Sequence, residues 1–436
     1  MAKRLIQACI GLATGAALCA ASLLLAQESL FNAPEPRRAV KLDQLDLKNS
    51  QPPASSISVE PLGFSAPANN YLGQRVSFVS LDFIDENRLL FTFRVPGLIH
   101  RVPQASGAAD EERQIRALVL RLPSGTIEAE GLWTVHDRAR YLWMLGGGSF
   151  LLRDRDNLET GDAALELKPY LHFSGPLLLL EMDPEQKILV TDSREPAATA
   201  KPGETSFEVP DLRPDQRQDD DSALAVRILR REQGQVMLVS RSRSVVHLPV
   251  NSDGYLEILR ARGDGWLLNM NYFNGGSRIL GEAESACPPL VDFLSLRELL
   301  ITGCSPSGAG KLAAMTTEGR WLWESSISSA AIWPLIVKAP DGLRLARETL
   351  TVTHPVIGDS SLTLDEIKGQ QVEVLNAADG KTVLVTAASP ILDAGGNVAI
   401  SPTGRRLAVL NAGAIQLFDL PSPPPLPERV PRPPGR

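Results

Sequence analysis

Three features of the sequence predict an all-β fold of repeated antiparallel meanders. The first is the segment Asn397–Leu420, NVAISPTGRRLAVLNAGAIQLFDL. In it the apolar run Val398–Ile400 meets Ser401-Pro402-Thr403-Gly404, Leu407–Leu410 meets Asn411–Gly413, and Ile415–Phe418 follows. Short strands joined by turns this tight form a three-stranded meander. The second feature is that related pieces recur along most of the chain. The third is that the turns fall into two sets. One set joins two apolar runs: Asp85-Glu86-Asn87, His136-Asp137-Arg138, Asp183-Pro184-Glu185, Ser295-Leu296-Arg297, Pro340-Asp341-Gly342 and Pro402-Thr403-Gly404. The other set ends in glycine just before an outer strand: Pro123-Ser124-Gly125, Glu159-Thr160-Gly161, Ser252-Asp253-Gly254, Thr317-Glu318-Gly319 and Ala378-Asp379-Gly380. Glycine there supplies the positive φ of a tight turn. The sets mostly alternate, as inner and outer hairpins of four-stranded blades would, and a closed array of such blades is a β-propeller.

From the N-terminus, Lys3 and Arg4 precede an uncharged apolar run, Leu5 to Ala26. Residues 1–26 therefore read as an export signal, cleaved after Ala21 or Ala26, or as an uncleaved membrane anchor. Leu18 stands before Cys19, where a lipoprotein signal wants a small residue, which argues against lipidation. Residues 27–56 carry Pro34, Pro36, Pro52 and Pro53 and read as a disordered linker. The propeller is expected over 57–420. Its blades are placed near 74–131, 132–172, 175–262, 263–286, 287–327, 330–390 and 393–420. Seven is the best count, with six and eight compatible. The third carries a polar insertion, Arg194 to Ser222. The last supplies only three strands, and the run Ile57 to Phe64 could add the fourth and close the ring. The tail 421–436, PSPPPLPERVPRPPGR, reads as an extended, disordered, basic segment.

Cysteine usage agrees with export. Cys9 and Cys19 lie in the signal, leaving Cys287 and Cys304. The intervening PPLVDFLSLRELLITG reads as a hairpin turning at Ser295–Arg297, which brings its ends within bridging range. Such a bridge contributes about 3 kcal/mol in the chain-entropy model. Two cysteines without a nearby histidine make an incomplete metal site.

Composition removes some classes. The net charge is -7 with both signs interspersed, so no basic stripe suggests nucleic-acid binding. Hydrophobic residues make up 43% of the chain, enough for a large core.

Two segments carry a family resemblance. SPTGRRLAVL resembles the Ser-Pro-Asp-Gly box of TolB-type and YVTN-type propeller repeats, with Thr403 in place of the usual aspartate. TTEGRWLWE, Thr316 to Glu324, resembles the Asp-x-x-Gly-x-x-x-Trp repeat of quinoprotein propellers, with Thr316 or Thr317 where an aspartate is usual. The Gly-His and Trp-Asp signatures of true WD repeats are absent. The resemblance covers the last 150 or so residues well. It implies a propeller in an extracytoplasmic setting and carries over no activity.

Candidate chemistry reduces under inspection. Gly358-Asp359-Ser360-Ser361-Leu362 is similar to an esterase nucleophile box, but an extra serine breaks it and no histidine follows His354. Ser307-Gly308-Ala309-Gly310-Lys311 lacks the flanking residues of a phosphate loop. His100, His136, His172, His247 and His354 are scattered, without metal-ligand spacing. Asp219-Asp220-Asp221 lacks the glycine and distal glutamate of a calcium loop. Trp321-Leu322-Trp323 is different: strand alternation puts both indoles on one face, where they could stack on a sugar or quinone or pack between blades. Trp333 lies nearby in sequence. Gly146-Gly147-Gly148 and Asn274-Gly275-Gly276 are loops where a ligand could approach.

The reading is an exported, non-enzymatic propeller without cofactor, metal or catalytic residue. It would be periplasmic or extracellular, bind another envelope or extracellular protein, and meet a membrane only through an uncleaved anchor. Trp321 and Trp323 are its candidate ligand residues and Cys287–Cys304 its disulfide. A channel enzyme (hydrolase, lyase or quinone-dependent oxidoreductase) would need three or more carboxylates or histidines around the axis. A small-ligand sensor would need the tryptophans to face a pocket.

Overall fold

Strand Arg88–Arg94, RLLFTFR, shows how the blades are built: six of its seven residues are buried. Leu89, Phe91 and Phe93 pack toward one neighbouring sheet, Leu90 toward the other. A strand buried on both faces reads as a continuous apolar run. The structure, a computed structural model, describes residues 49–67, 75–96, 100–103, 109–194, 205–207, 224–306, 309–328, 330–355 and 364–423. The run Leu5–Ala26, most of the 27–56 linker, nearly all of the polar insertion with Asp219–Asp221, Ser307-Gly308, the segment Gly358–Leu362 and the tail beyond 423 lie outside the described residues.

The strands form seven antiparallel sheets. Strand β1 (Ser55–Ser58) precedes blade 1, which is β2 (Val79–Asp85), β3 (Arg88–Arg94), β5 (Ala109–Arg121) and β6 (Thr126–Val135). The short β4 (His100–Pro103) pairs with the overhanging end of β5. Blade 2 is β7 (Leu142–Leu145), β8 (Ser149–Asp154), β9 (Asn157–Gly161) and β10 (Leu167–His172). Blade 3 is β11 (Leu177–Met182), β12 (Ile188–Arg194), β14 (Leu224–Arg230) and β15 (Gln235–Ser242), with β13 (Thr205–Ser206) parallel to β15. Blade 4 is β16 (Val250–Asn251), β17 (Gly254–Arg260), β18 (Gly265–Tyr272) and β19 (Ser277–Glu284). Blade 5 is β20 (Leu290–Phe293), β21 (Glu298–Cys304), β22 (Gly310–Thr316) and β23 (Trp321–Ser326). Blade 6 is β24 (Ala331–Lys338), β25 (Arg344–Val352), β26 (Ile367–Asn376) and β27 (Thr382–Ala388). Blade 7 is β28 (Val398–Ile400), β29 (Arg406–Asn411), β30 (Ala414–Asp419) and, as its outermost strand, β1. Ser55 pairs with Leu417 and Ser58 with Ala414, so the closing strand starts just ahead of the expected Ile57–Phe64 run.

First strands of neighbouring blades touch, as β2 does with both β28 and β7, and β16 with β20. These strands therefore surround the axis. Between each pair of blades lies an apolar cluster. Phe91 and Leu118 meet Ala408 and Leu410 where blade 1 closes on blade 7. Val190 and Ile228 meet Val250 and Tyr255 between blades 3 and 4. Leu300 and Leu312 meet Leu345 and Leu375 between blades 5 and 6.

Two expected boundaries move. Blade 3 ends at Ser242, not 262, and blade 4 starts at Val250. The inner strand of blade 4 has only two residues, and Ser252-Asp253-Gly254 joins it to β17; this is an inner turn, not an outer one. His136-Asp137-Arg138, expected as an inner turn, is part of the connection from blade 1 to blade 2.

Adjacent strands alternate in direction, so the molecule has two unlike faces. Turns between first and second strands, and between third and fourth, emerge on one face, here the turn face. Connections between second and third strands, and between blades, emerge on the other, the loop face. The strands that flank the connections 94–109, 194–224 and 352–367 have their connected ends on the loop face.

Candidate functional site

Charged groups gather on and beside the innermost strands. His247, just ahead of β16, turns Nδ1 to the Glu181 carboxylate on β11 and donates from Nε2 to the Val291 carbonyl on β20 at 2.6 Å. Glu181 Oε2 accepts from the Leu248 amide at 3.2 Å. Burial opposes charge on His247, but Glu181, Asp292 and the Val291 carbonyl outweigh it and push the imidazole up to about 9. Asp292, on β20, lies 3.2 Å from Lys338 Nζ on β24. Burial raises Asp292, yet Lys338 and His247 together hold it below the usual carboxylate range. Blades 3 to 6 are thus tied around the axis by one belt of alternating charge. Behind it Asp192 accepts from the Val246 amide at 2.6 Å, and burial pushes it up to about 7. Across the axis Asp82, on β2, is raised by burial against the pull of Arg140 and accepts from the Ser80 hydroxyl at 2.5 Å.

By count, Asp82, Glu181, His247 and Asp292 reach the threshold set for a channel enzyme. By bonding they are occupied. Both His247 nitrogens are used, so it offers no free base. Glu181 and Asp292 each hold a cation. His136 bonds Asp154 at 2.9 Å, His172 bonds Asn157 at 2.9 Å, and His354 bonds Thr353 at 3.1 Å. Among the described residues no group of three His, Cys, Asp or Glu is placed to hold a metal.

The two candidate tryptophans lie on opposite faces of blade 5. A bulge in the β22–β23 pairing sets Trp323 opposite Ala314 but Trp321 opposite Met315. Met315 faces blade 4 and Ala314 faces blade 6. The inserted residue cancels the two-residue period that would have put both indoles on one side. Trp323 packs on blade 6: its Nε1 donates to the Ala377 carbonyl at 2.7 Å. Gly380 lies at φ +65°, and a Cβ there would stand 2.6 Å from the indole, so only glycine admits this contact. Trp321 is 45% exposed and walls a groove of about 290 Å³ between blades 4 and 5. Ala283, Ser285, Gly303 and Ala313 floor the groove, and Lys311 and Glu324 stand 3.5 Å apart on its wall.

A disulfide joins Cys287 to Cys304, with Cα atoms 5.7 Å apart, across the ends of the β20–β21 hairpin. Ser285 locks the same corner, donating to the Cys287 carbonyl at 2.6 Å and accepting from the Cys304 amide at 3.0 Å. No helix among the described residues is long and apolar enough to cross a membrane.

No family model matches the chain, and no curated protein matches it. Solved structures do. An acylaminoacyl peptidase of Pyrococcus horikoshii is 10% identical with a TM-score of 0.45, over 80% of this chain and 52% of its own. The chain thus spans about half the length of that peptidase. The WD40 domain of Toxoplasma gondii coronin is 12% identical with a TM-score of 0.45, over 87% of this chain and 88% of its own. The β-propeller domain of the Trilobed protease from Pyrococcus furiosus is 11% identical with a TM-score of 0.42, over 79% and 94%. These likenesses concern fold alone. The chain is a seven-bladed β-propeller of four-stranded antiparallel blades, closed by its own N-proximal strand.

Proposed function

We propose that this propeller is an exported, non-enzymatic module that binds another protein in the cell envelope or outside the cell. The observation that carries the reading is the inequality of the two faces. The turn face is built of tight turns, whereas the long connections leave blades 1, 3 and 6 on the loop face. A ring whose longest connections all start from one side is suited to broad protein contacts there. The internally neutralised axial belt supports binding over catalysis. The disulfide and the apolar N-terminal run support an oxidising, extracytoplasmic setting, as TolB-type and YVTN-type repeats would imply. The test is in-cell crosslinking of the tagged protein, read by mass spectrometry against a signal-less control. A reproducible envelope or extracellular partner supports the reading; none in repeated captures overturns it.

A second reading, a small-ligand sensor, is favoured by the groove under Trp321. Quenching of fluorescence by a sugar or quinone, lost in Trp321→Ala but kept in Trp323→Phe, would establish it.

A further inference from the structure

The last strand ends within reach of the groove under Trp321. Strand β30 runs out on the turn face at Asp419, and the buried Arg344 of blade 6 donates from Nη2 to the Pro421 carbonyl. The tail is thus held to blade 6 where it begins. Contacts lead on from there to blade 5. Arg344 pairs with Asn376, and Trp323 Nε1 donates to the carbonyl of the adjoining Ala377 at 2.7 Å. Trp321 stands two residues from Trp323. With strands about 5 Å apart, about 7 Å between alternate residues and both side chains included, this path is on the order of 30 Å. Beyond Pro423 the sequence PPLPERVPRPPGR adds 13 residues. As a polyproline helix they span about 40 Å, at about 3.1 Å each.

The groove presents its groups in an order that suits this sequence. Trp321 stands at its turn-face end, at the start of β23, and the exposed Glu324 and Glu284 lie farther toward the loop face. Lys311 is 3.5 Å from Glu324, and Glu282 turns its carboxylate back over Gly265. The lining thus carries more carboxylate than ammonium. Outside it, at the turn-face end, stand the exposed Arg278 and Arg320, with Arg278 donating to the Glu318 carbonyl at 3.4 Å. They disfavour an arginine beside the indole but not a proline. The tail, entering from the turn face, brings Pro431, Pro433 and Pro434 ahead of Arg436.

We propose that the segment Pro424 to Arg436 docks in the groove between blades 4 and 5 of its own chain. Its prolines lie on the Trp321 indole and an arginine lies beside Glu324 and Glu284. Proline-rich segments suit an aromatic-walled groove because their extended form is fixed before they bind. Arginine bonds carboxylates through its planar fork. A covalent tether raises the local concentration to the millimolar range, so this small groove with one aromatic wall suffices. A tail seated here competes with any small ligand under Trp321.

The test is fluorescence anisotropy of a labelled peptide, residues 424–436, added to the full chain. In the parent the chain's own tail holds the groove, and the peptide should bind weakly. Pro431→Ser/Pro433→Ser/Pro434→Ser/Arg436→Ser in the full chain should free the groove and tighten peptide binding at least tenfold. Adding Trp321→Ala should remove that gain, and Trp321→Phe should keep most of it, with thermal melts unchanged throughout. Equal binding by parent and tail variant overturns the proposal, as does binding by neither or a gain that survives Trp321→Ala. Sedimentation tests a second occupant: a parent that dimerises beside a monomeric tail variant would seat the tail on another copy and overturn docking within one chain. Maltose tests a third: equal quenching, in both chains, of the fluorescence lost in Trp321→Phe would mean a groove left open by the tail. None of these outcomes depends on the capture of an outside partner.

Discussion

Glu348 should make the propeller less stable as the pH rises from about 5 to about 8. It lies on β25, 1% exposed, between blades 6 and 7. Its Oε2 accepts from Gln370 Nε2 at 2.7 Å, and its Oε1 has no partner. Gln370 is fixed in turn: its Oε1 accepts from the Leu392 amide at 3.0 Å and from Asn397 Nδ2 at 2.9 Å. Burial pushes Glu348 up from 4.5 to about 8, with the Gln370 hydrogen bond opposing. Between those values the folded chain holds a proton that the unfolded chain has released. Stability then falls as pH rises, by about tenfold in the folding constant per pH unit at the steepest, and levels off above about 8. Glu348→Gln keeps the shape and removes the titration. Its advantage over the parent should be small at pH 5. It should grow by on the order of 3 kcal/mol by pH 8. Urea unfolding of both proteins across that range measures the difference, and other titrating groups cancel in it. A gap that stays constant with pH, or a variant less stable than the parent at pH 8, would refute the reasoning.

Three further outcomes are expected. His247 is raised to about 9, so its contribution is complete below its unfolded value of 6.5 and is lost as pH climbs through 9; His247→Gln should cost roughly 2 kcal/mol at pH 6 and progressively less by pH 10, read from thermal melts. Trp323→Ala should cost about 3 kcal/mol, by loss of its contacts with Gly380 and Ala377, whereas the half-exposed Trp321→Ala should cost under about 1 kcal/mol; denaturant midpoints decide between equal and unequal losses. Replacing Cys287 and Cys304 by serine should lower stability by about 3 kcal/mol, given their separation of 17 residues, and should abolish any effect of reductant on the melting temperature.

The blade plan is written in local chemistry, and so it can be read from the sequence. Pro402-Thr403-Gly404 and Pro340-Asp341-Gly342 sit where tight turns need them, and the apolar runs beside them are strands. The reading slips where that local signal thins. A two-residue inner strand, Val250–Asn251, leaves no run to recognise, so blades 3 and 4 are divided in the wrong place. Trp321 and Trp323 separate because of one bulged residue, which leaves no mark in composition. The axial belt and the anchor of the tail are harder still. Glu181 meets His247 66 positions on, and Arg344 meets Pro421 77 positions on. Such partners are chosen by the closure of the ring, and no spacing rule within a strand reports them.

That closure also gives the molecule a clasp and a schedule. Ile57 lies ahead of blade 1 and Ile415 in blade 7, and they are partners. During synthesis blade 7 cannot be completed until β30 has emerged, so β1 must wait unpaired while blades 1 to 6 are made. Pairing over so great a separation is slow to form. A pull from the N-terminal side would be met first by Asn49 and Gln51, which donate to the Thr382 and Asp419 carbonyls, and then by this four-residue strand. Undoing the strand that seals the ring would open blade 7 while blades 1 to 6 kept their own strands.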